Sequence, residues 1–273
     1  MSTLDVAKKD FLDVRRAKIV WFVSSLYVLI AVLMFYFGQN NADDPEFYYA
    51  LTMLTGNGAM ILTLVALVTA YLAIAGERES GSIKYMLSIP NSRRDVVLGK
   101  FLTRSTVVIG SILVGFGIGA ILGTLWYPSI DVEMLLGALA LTILFTLTYV
   151  SVAIGISAAT ASRSRAMGGT IGFFFVTTVL ALFRMVSFAL NWILNDLFGL
   201  DLSQNALSFI EAAMSPIMAF FGAMDLVFPS QVSQTAPDSP WYLEGEVMIV
   251  ILLAWLVVPL VLGIWRFERA DLG

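Results

Sequence analysis

The chain has 273 residues, of which 59% are hydrophobic and 13% are charged, and its formal net charge is −4. This composition is typical of polytopic membrane proteins and predicts one membrane domain over residues 1–273, without a separate soluble domain. Cysteine and histidine are both absent, which excludes disulfides, thiol nucleophiles, histidine-based acid–base chemistry and zinc sites of the usual ligand type.

The sequence also has no nucleotide-binding loop of the Walker type. Its only Gly-Lys pair, Gly99–Lys100, has Arg94 in place of the first glycine of that loop and Phe101 in place of its hydroxyl residue. We therefore expect a chain that is not an enzyme, with no catalytic residue, no metal and no cofactor of its own.

Residues 1–18 predict an amphipathic helix before the first span. Leu4, Ala7, Phe11 and Val14 recur at helical spacing, and basic residues flank this apolar stripe. A helix of this kind lies at the lipid interface. A solvated, charged tail is the alternative.

Six apolar stretches are long enough to cross a hydrocarbon core of about 30 Å at about 1.5 Å per helical residue. They are residues 19–37, 51–75, 105–126, 134–161, 167–188 and 247–265. The sequence therefore predicts an all-α membrane protein with six transmembrane helices.

The charges are distributed unevenly between the two sides of this six-span arrangement. Of the 16 Lys and Arg residues, 15 lie in the amino-terminal segment, in residues 77–104, in the loop at Arg163 or in the carboxy-terminal tail. The other side carries 12 of the 20 acidic residues. Because loops rich in Lys and Arg stay in the cytoplasm, both termini and residues 77–100 are predicted to be cytoplasmic, in a protein of the plasma membrane.

Residues 77–100 form a polar segment between the second and third spans. Ser80 is a candidate N-cap of a short helix, and Pro90 ends that helix. One face of the helix is an apolar stripe made of Ile83, Met86, Leu87 and Pro90. Because this stripe has no core of its own, it is a candidate docking surface for a soluble partner. The alternative is a helix that lies flat on the lipid.

The helix that leads into the third span begins with a capping box. Ser92 is its candidate N-cap, and Asp95 follows three residues later. Glu77, at the end of the second span, is predicted to pair with Arg78, Arg93 or Arg104, or to bind the partner directly. An ordinary carboxylate at headgroup level is the alternative.

Glycines recur at every fourth position of the third span. Gly115, Gly119 and Gly123 form a row of small residues, which is a helix contact face in some bundles. Such rows are also common in apolar helices that make no special contact.

Residues 191–246 form a long segment before the last span. Within it, residues 203–228 are apolar, but they contain Glu211, Pro216 and Asp225, which are costly in lipid. We predict short outer helices, interfacial or re-entrant, that are broken at Pro216 and capped at the start by Ser203.

Arg184 lies near the end of the fifth span. It is a candidate cation of a translocation path, or a partner of Asp196 or Glu211, and Glu211 is a second candidate for that path. The alternative for Arg184 is a side chain that extends to the headgroups. Methionines at 185, 214, 218 and 224 could ligate a soft metal, but methionine commonly fills apolar helices, and no metal site is predicted.

The segment between the second and third spans resembles that of the type-2 ABC exporter permease family. The matching residues are Glu77, Glu79, Gly81, Ser82, Ile83, Met86, Leu87, Ser88, Ile89, Pro90, Ser92 and Arg93, followed by Gly99 and Lys100. The amino-terminal helix, the six spans and the long segment before the last span are also similar to that family. Within it, the chain is most similar to stand-alone permeases without a fused ATPase, which include the one in nitrous oxide reductase copper-site maturation.

This resemblance implies the membrane subunit of an ATP-driven exporter. Residues 77–90 would form the coupling helix that fits a cleft on a cytoplasmic ABC ATPase, and residues 1–18 would form the elbow helix. ATP and Mg would be bound by that ATPase. The other expected partners are a second permease, in a homodimer or heterodimer, and membrane lipids, with no nucleic acid. A membrane anchor or sensor that does not transport and an ion-coupled secondary carrier are the alternatives.

Overall fold

The computed structural model of the chain describes residues 3–16, 18–40, 46–84, 92–228 and 239–271, apart from the side chains of residues 13–20, 23 and 24. All regular secondary structure in these ranges is helical. The helices are α1 (Thr3–Arg16), α2 (Lys18–Asn40), α3 (Phe47–Ala70), α4 (Ala75–Glu79), α5 (Arg93–Trp126), α6 (Val132–Ala159), α7 (Arg163–Phe174), α8 (Met185–Asn191), α9 (Gln204–Met214), α10 (Pro216–Ala223) and α11 (Gly245–Glu268). Turns of π-helix, Phe175–Leu180 and Trp192–Leu197, extend α7 and α8.

Four helices of the described chain are long and apolar enough to cross a membrane. The first is Phe47–Glu79, which contains α3, α4 and the turn between them. The other three are α5, α6 and α11. Two bent pairs of helices would raise the number to six if each pair is one span. Helix α2 has 23 residues, of which Ser25–Asn40 is an apolar stretch with every residue described. The bundle thus agrees with an all-α membrane protein, and the layout with six spans stays a prediction.

Helix α6 lies at the centre of the bundle, where it packs against α3, α5 and α11. Its contact with α11 includes a direct approach of the two backbones. A Cβ atom added to Gly155 would lie 2.4 Å from the carbonyl oxygen of Pro259, and one added to Gly263 would lie 2.6 Å from the Cα of Gly155. Only glycine allows the two helices to approach this closely.

The glycine row of α5 is a contact face, as its spacing predicts. Each glycine faces one aromatic ring: a Cβ atom would lie 2.4 Å from Tyr27 at Gly115, 2.9 Å from Phe35 at Gly119 and 2.7 Å from Phe47 at Gly123. The rings of Phe35 and Phe47 also pack edge to face, with centroids 5.8 Å apart. The row therefore brings α2 and α3 against α5.

The region predicted as the fifth span is bent rather than continuous. Arg163–Leu180 and Met185–Leu197 meet at an angle of 82°. Arg184 lies at this bend with φ of 58°, in the left-handed region, which breaks the helix although the composition on both sides is apolar. Residues 167–188 are therefore not one continuous helix, and their crossing of the membrane as the fifth span stays a prediction.

The break predicted at Pro216 is confirmed. Gln204–Met214 and Pro216–Leu226 meet at 115°, and Pro216 occupies the first turn of α10, where its missing N–H costs nothing. Ser203 caps α9, since its hydroxyl accepts a hydrogen bond from the Ala206 N–H at 3.2 Å.

Candidate functional site

Helices α1, α3, α4, α5, α6 and α11 meet at one end of the bundle, which we call the basic end because Arg78, Arg93, Lys100 and Arg104 lie there. The chain turns between α3 and α4, which leaves backbone N–H groups without a helical acceptor. The Ser157 hydroxyl of α6 accepts hydrogen bonds from the N–H groups of Ile74 and Ala75, both at 3.0 Å. This side chain fixes the end of α3 to α6.

Replacing Ser157 with alanine is expected to lower the free energy of unfolding by about 2 kcal/mol, because two buried N–H groups lose their acceptor. The measurement is the midpoint of thermal or denaturant unfolding of the purified protein. The matched control is Thr106→Val, since the exposed Thr106 hydroxyl bonds only to the Leu102 carbonyl of its own helix. Equal midpoints for the two variants would contradict the assigned role of Ser157.

Two arginines at the basic end bind the ends of neighbouring helices. Arg78 donates to the carbonyls of Ala158 and Thr160 at 3.2 and 2.9 Å, which ties α4 to the end of α6. Arg93 donates to the carbonyls of Phe267, Glu268 and Ala270 at 2.7, 3.0 and 2.6 Å, at the end of α11. A cation is favourable there because the last carbonyls of a helix carry partial negative charge.

Both of these arginines lie over the ring of Phe267. The guanidinium carbons of Arg78 and Arg93 are each 5.6 Å from its centroid, within the range of cation–π attraction. Phe267 is fully buried. The ring therefore keeps two like charges in a fixed arrangement and links α4, α5 and α11.

A second cluster surrounds Lys100, which is buried on α5. Its Nζ lies 2.6 Å from Oδ1 of Asp10 on α1 and 2.5 Å from Oε1 of Glu77 on α4. Nη2 of Arg104 lies 3.5 Å from Oδ2 of Asp10. Two cations and two carboxylates thus balance in a site that excludes most water, where ion pairs are strong but also costly to break.

Further contacts fix α1 along the first turns of α5. The Thr3 hydroxyl donates to Oδ1 of Asp95 at 2.6 Å, and the Thr103 hydroxyl donates to the Ala7 carbonyl at 3.0 Å. Val6 packs directly on Gly99, since a Cβ atom added to Gly99 would lie 2.7 Å from Cγ1 of Val6. The face of α1 that packs on the bundle therefore contains Val6 and Asp10.

The predicted apolar stripe of α1 is only partly exposed, since Ala7 and Phe11 are half-buried. Leu4 is 70% exposed, so it lies outside the contact with α5. The Val14 side chain lies outside the described residues. The position of this stripe at the lipid surface stays a prediction.

Glu79, Gly81 and Ser82 lie where the chain leaves α4. Oε2 of Glu79 accepts a hydrogen bond from the Arg163 N–H at 2.6 Å, which links α4 to α7. Gly81 has φ of +75°, a conformation that glycine adopts without strain. The Ser80 and Ser82 hydroxyls are 2.9 Å apart.

The predicted capping role of Ser80 is wrong. Its hydroxyl donates back to the Glu77 carbonyl at 3.3 Å, and the residue ends α4. The next helical residue is Ile83. The turn at Gly81 therefore separates Ser80 from the start of the following helix.

The predicted docking stripe is only partly described. Ile83 is 2% exposed and belongs to the hydrophobic core, so its side chain packs inside this chain instead of facing a partner. Met86, Leu87 and Pro90 lie outside the described residues. Their docking role stays a prediction.

The capping box at the start of α5 is confirmed. The Ser92 hydroxyl accepts from the Asp95 N–H at 3.1 Å, and the Asp95 carboxylate accepts from the Ser92 N–H at 3.1 Å. Asp95 also binds Thr3 of α1. The cap therefore fixes the direction of α5 and its distance from α1.

Arg184 and Glu211 do not meet. Within residues 92–228, no ion pair joins Arg184 to Glu211 or Asp196, and Arg184 is exposed at the bend before α8. Glu211 is buried and accepts a hydrogen bond from the Ser187 hydroxyl, which joins α9 to α8. Their place in a translocation path stays a prediction.

Sequence reasoning missed the central residue of the site. The sequence predicts an arginine or the partner protein opposite Glu77 and does not indicate Asp10, whereas the structure pairs both carboxylates with Lys100. A local signal exists, because Lys100 lies on the same face of α5 as Val96 and Thr103. A lysine on an otherwise buried helix face requires carboxylate partners.

A family model and one relative match nearly the whole chain. The family model described as ABC-2 family transporter protein matches residues 4–272. The chain is 30% identical over 180 residues to the probable ABC transporter permease protein NosY of Pseudomonas aeruginosa, covering 63% of this chain and 66% of that protein. It is 25% identical over 272 residues to the probable ABC transporter permease protein NosY of Stutzerimonas stutzeri, covering 97% of each.

Proposed function

The chain belongs to the ABC-2 family of transporter proteins, and on this premise we propose that it is a permease that couples ATP hydrolysis by a separate cytoplasmic ATPase to substrate export. As a multi-pass membrane protein of this family it is the membrane subunit of an ABC transporter. Export as the direction, and the ATPase as the partner that binds ATP and Mg, belong to the proposal.

The observation that carries the proposal is the Asp10–Lys100–Glu77 cluster. Glu77 lies on α4 and is the first residue of the segment 77–90 that would contact the ATPase, and Lys100 lies on α5, after the end of that segment. Asp10 adds α1 to the same cluster. A displacement of that segment is therefore passed to α1, α4 and α5 together, since none of these three helices can move alone without breaking an ion pair of the cluster.

The arginines extend this linkage to the rest of the bundle. Arg93 joins the segment to the end of α11, and Arg78 joins it to the end of α6. The chain would then supply two conformations whose populations the nucleotide state of the ATPase shifts.

We place the basic end in the cytoplasm, with six spans and both termini on that side of the plasma membrane. The clustering of Lys and Arg at this end supports the placement. The cytoplasm is also the compartment in which the ATPase has access to ATP. The functional unit in this proposal contains two permeases, identical or different, and two ATPases.

Replacing Leu87 with aspartate is expected to abolish association with the ATPase while the permease stays in the membrane, because a carboxylate at the docking stripe would be buried without a partner. The measurement is the amount of Walker-type ATPase that co-purifies with the tagged permease from membranes of the source organism. The matched control is Leu4→Asp, the same change at an exposed leucine of α1.

Unchanged association in Leu87→Asp would refute the docking role of this segment. Association without ATP-dependent transport in reconstituted vesicles would instead favour a membrane anchor or sensor. Transport that needs an ion gradient and no ATP would favour a secondary carrier.

A further inference from the structure

A long groove runs along the surface of the bundle between α6 and α11. Its volume is about 840 Å³, which lies in the range of about 300–1,000 Å³ typical of ligand sites. The walls are Val152, Ile156 and Ala159 on α6 and Ile251, Val258 and Leu262 on α11. These walls are apolar, so the groove fits a hydrocarbon chain.

The close approach of the two helix backbones creates the groove. Gly155, Pro259 and Gly263 bring α6 and α11 into contact and also line the groove, so no long side chain fills its floor. Val258 and Leu262 are more than half exposed along its wall. Phe173 and Trp255, with ring centroids 5.4 Å apart, also line the groove.

The groove is longer than one leaflet of the hydrocarbon core. From Ile251 to Arg266 the helix rises about 22 Å at about 1.5 Å per residue, which is more than half of a hydrocarbon core of about 30 Å. The groove therefore extends from the water boundary at the basic end past the middle of the membrane.

The end of the groove at the water boundary is cationic. Arg266 lines it, and the guanidinium of Arg269 stacks over the ring of Trp265, which also lines it, at 4.3 Å. No carboxylate is among the described residues that line the groove, and Glu268 faces Arg94 at 3.7 Å. A guanidinium at this position suits a phosphate group, which it can bind through two hydrogen bonds.

We propose that this groove binds an anionic phospholipid of the leaflet at the basic end, with its acyl chains between α6 and α11 and its phosphate on Arg266. A second copy of this chain is a poorer occupant, because a two-fold symmetric contact centred on the groove would bring the Arg266 side chains of both copies together. A lipid supplies the missing negative charge and the hydrocarbon in one molecule.

The bound lipid would also stabilise the contacts at the basic end. Arg266 belongs to the last turn of α11, next to the carbonyls that Arg93 binds. A phospholipid on Arg266 therefore stabilises the end of α11 in the position that the cluster at the basic end requires. This role does not depend on the direction of transport or on the identity of the ATPase.

The test is native mass spectrometry of the full-length protein released from nanodiscs of phosphatidylcholine, with or without phosphatidylglycerol. The wild type is expected to retain phosphatidylglycerol in preference to phosphatidylcholine. Arg266→Gln should lower this retention about fivefold, since one cation near an anionic lipid is worth about 1 kcal/mol. Ala254→Trp should fill the groove and lower the retention of both lipids.

The matched control is Arg165→Gln, which removes an exposed arginine of α7 that does not line the groove. The proposal would be overturned if Arg165→Gln and Arg266→Gln lowered the retention of phosphatidylglycerol equally. Equal retention of both lipids by the wild type would also overturn it. A change in oligomeric mass in Ala254→Trp with unchanged lipid retention would show that the groove is a subunit interface and would also overturn it.

Discussion

Replacing Lys100 with methionine is expected to destabilise the protein by about 3 kcal/mol, because the substitution leaves the buried Asp10 carboxylate and the partly buried Glu77 carboxylate with one arginine. Methionine keeps most of the volume of the lysine side chain, so the loss comes from charge and not from a cavity. Asp10 and Glu77 both lose a contact of 2.6 Å or less to Nζ. The measurement is the free energy or midpoint of unfolding of the purified protein.

A double variant separates charge imbalance from lost packing. Glu77→Gln combined with Lys100→Met removes one charge of each sign, so the double variant should be more stable than Lys100→Met alone. The matched control is Lys9→Met, the same change at an exposed lysine of α1. A midpoint for Lys100→Met equal to that of Lys9→Met would contradict the balanced cluster.

The double variant also tests the proposed coupling. It keeps charge balance but lacks the bond between α4 and α5, so the ATPase should still bind while transport per ATP hydrolysed falls. Wild-type coupling in a folded double variant would show that the cluster only stabilises the protein.

Features set by local physics could be predicted from the sequence. The apolar stretches indicate helices because a chain in lipid must satisfy its own backbone hydrogen bonds. The Ser92 cap and the break at Pro216 depend on residues within one helical turn. The glycines at 115, 119 and 123 lie on one face of α5, since residues four apart share a face. Its partners, three aromatic rings on other helices, do not follow from the spacing.

Features set by tertiary contacts could not be predicted in the same way. Asp10 lies 90 positions from Lys100, and no local pattern distinguishes it from Asp13 on the same helix. Ile83 was placed on a docking stripe because its spacing fits, but packing inside the bundle buries it. The bend at Arg184 occurs in a stretch that is apolar on both sides, where composition alone favours a straight helix.

The contact of α6 with α11 gives the second large expected effect. Replacing Gly155 with leucine is expected to destabilise the protein by about 3 kcal/mol and to lower the yield of folded protein. The first atom of the new side chain would lie 2.4 Å from the Pro259 carbonyl oxygen, and a backbone atom cannot move aside as a flexible side chain can. Helix α11 must then shift, and with it the carbonyls that bind Arg93.

A graded series checks that steric overlap is the cause. Gly155→Ala should show a smaller loss of the same sign, about 2 kcal/mol, because a single methyl group already overlaps the Pro259 backbone. The matched controls are Gly117→Ala and Gly117→Leu on α5, where a Cβ atom meets nothing within 4 Å. Both should be neutral or slightly stabilising, since alanine and leucine favour helix more than glycine. If Gly155→Leu unfolds at the same midpoint as Gly117→Leu, the two helices are not in backbone contact, and the groove between them has another shape.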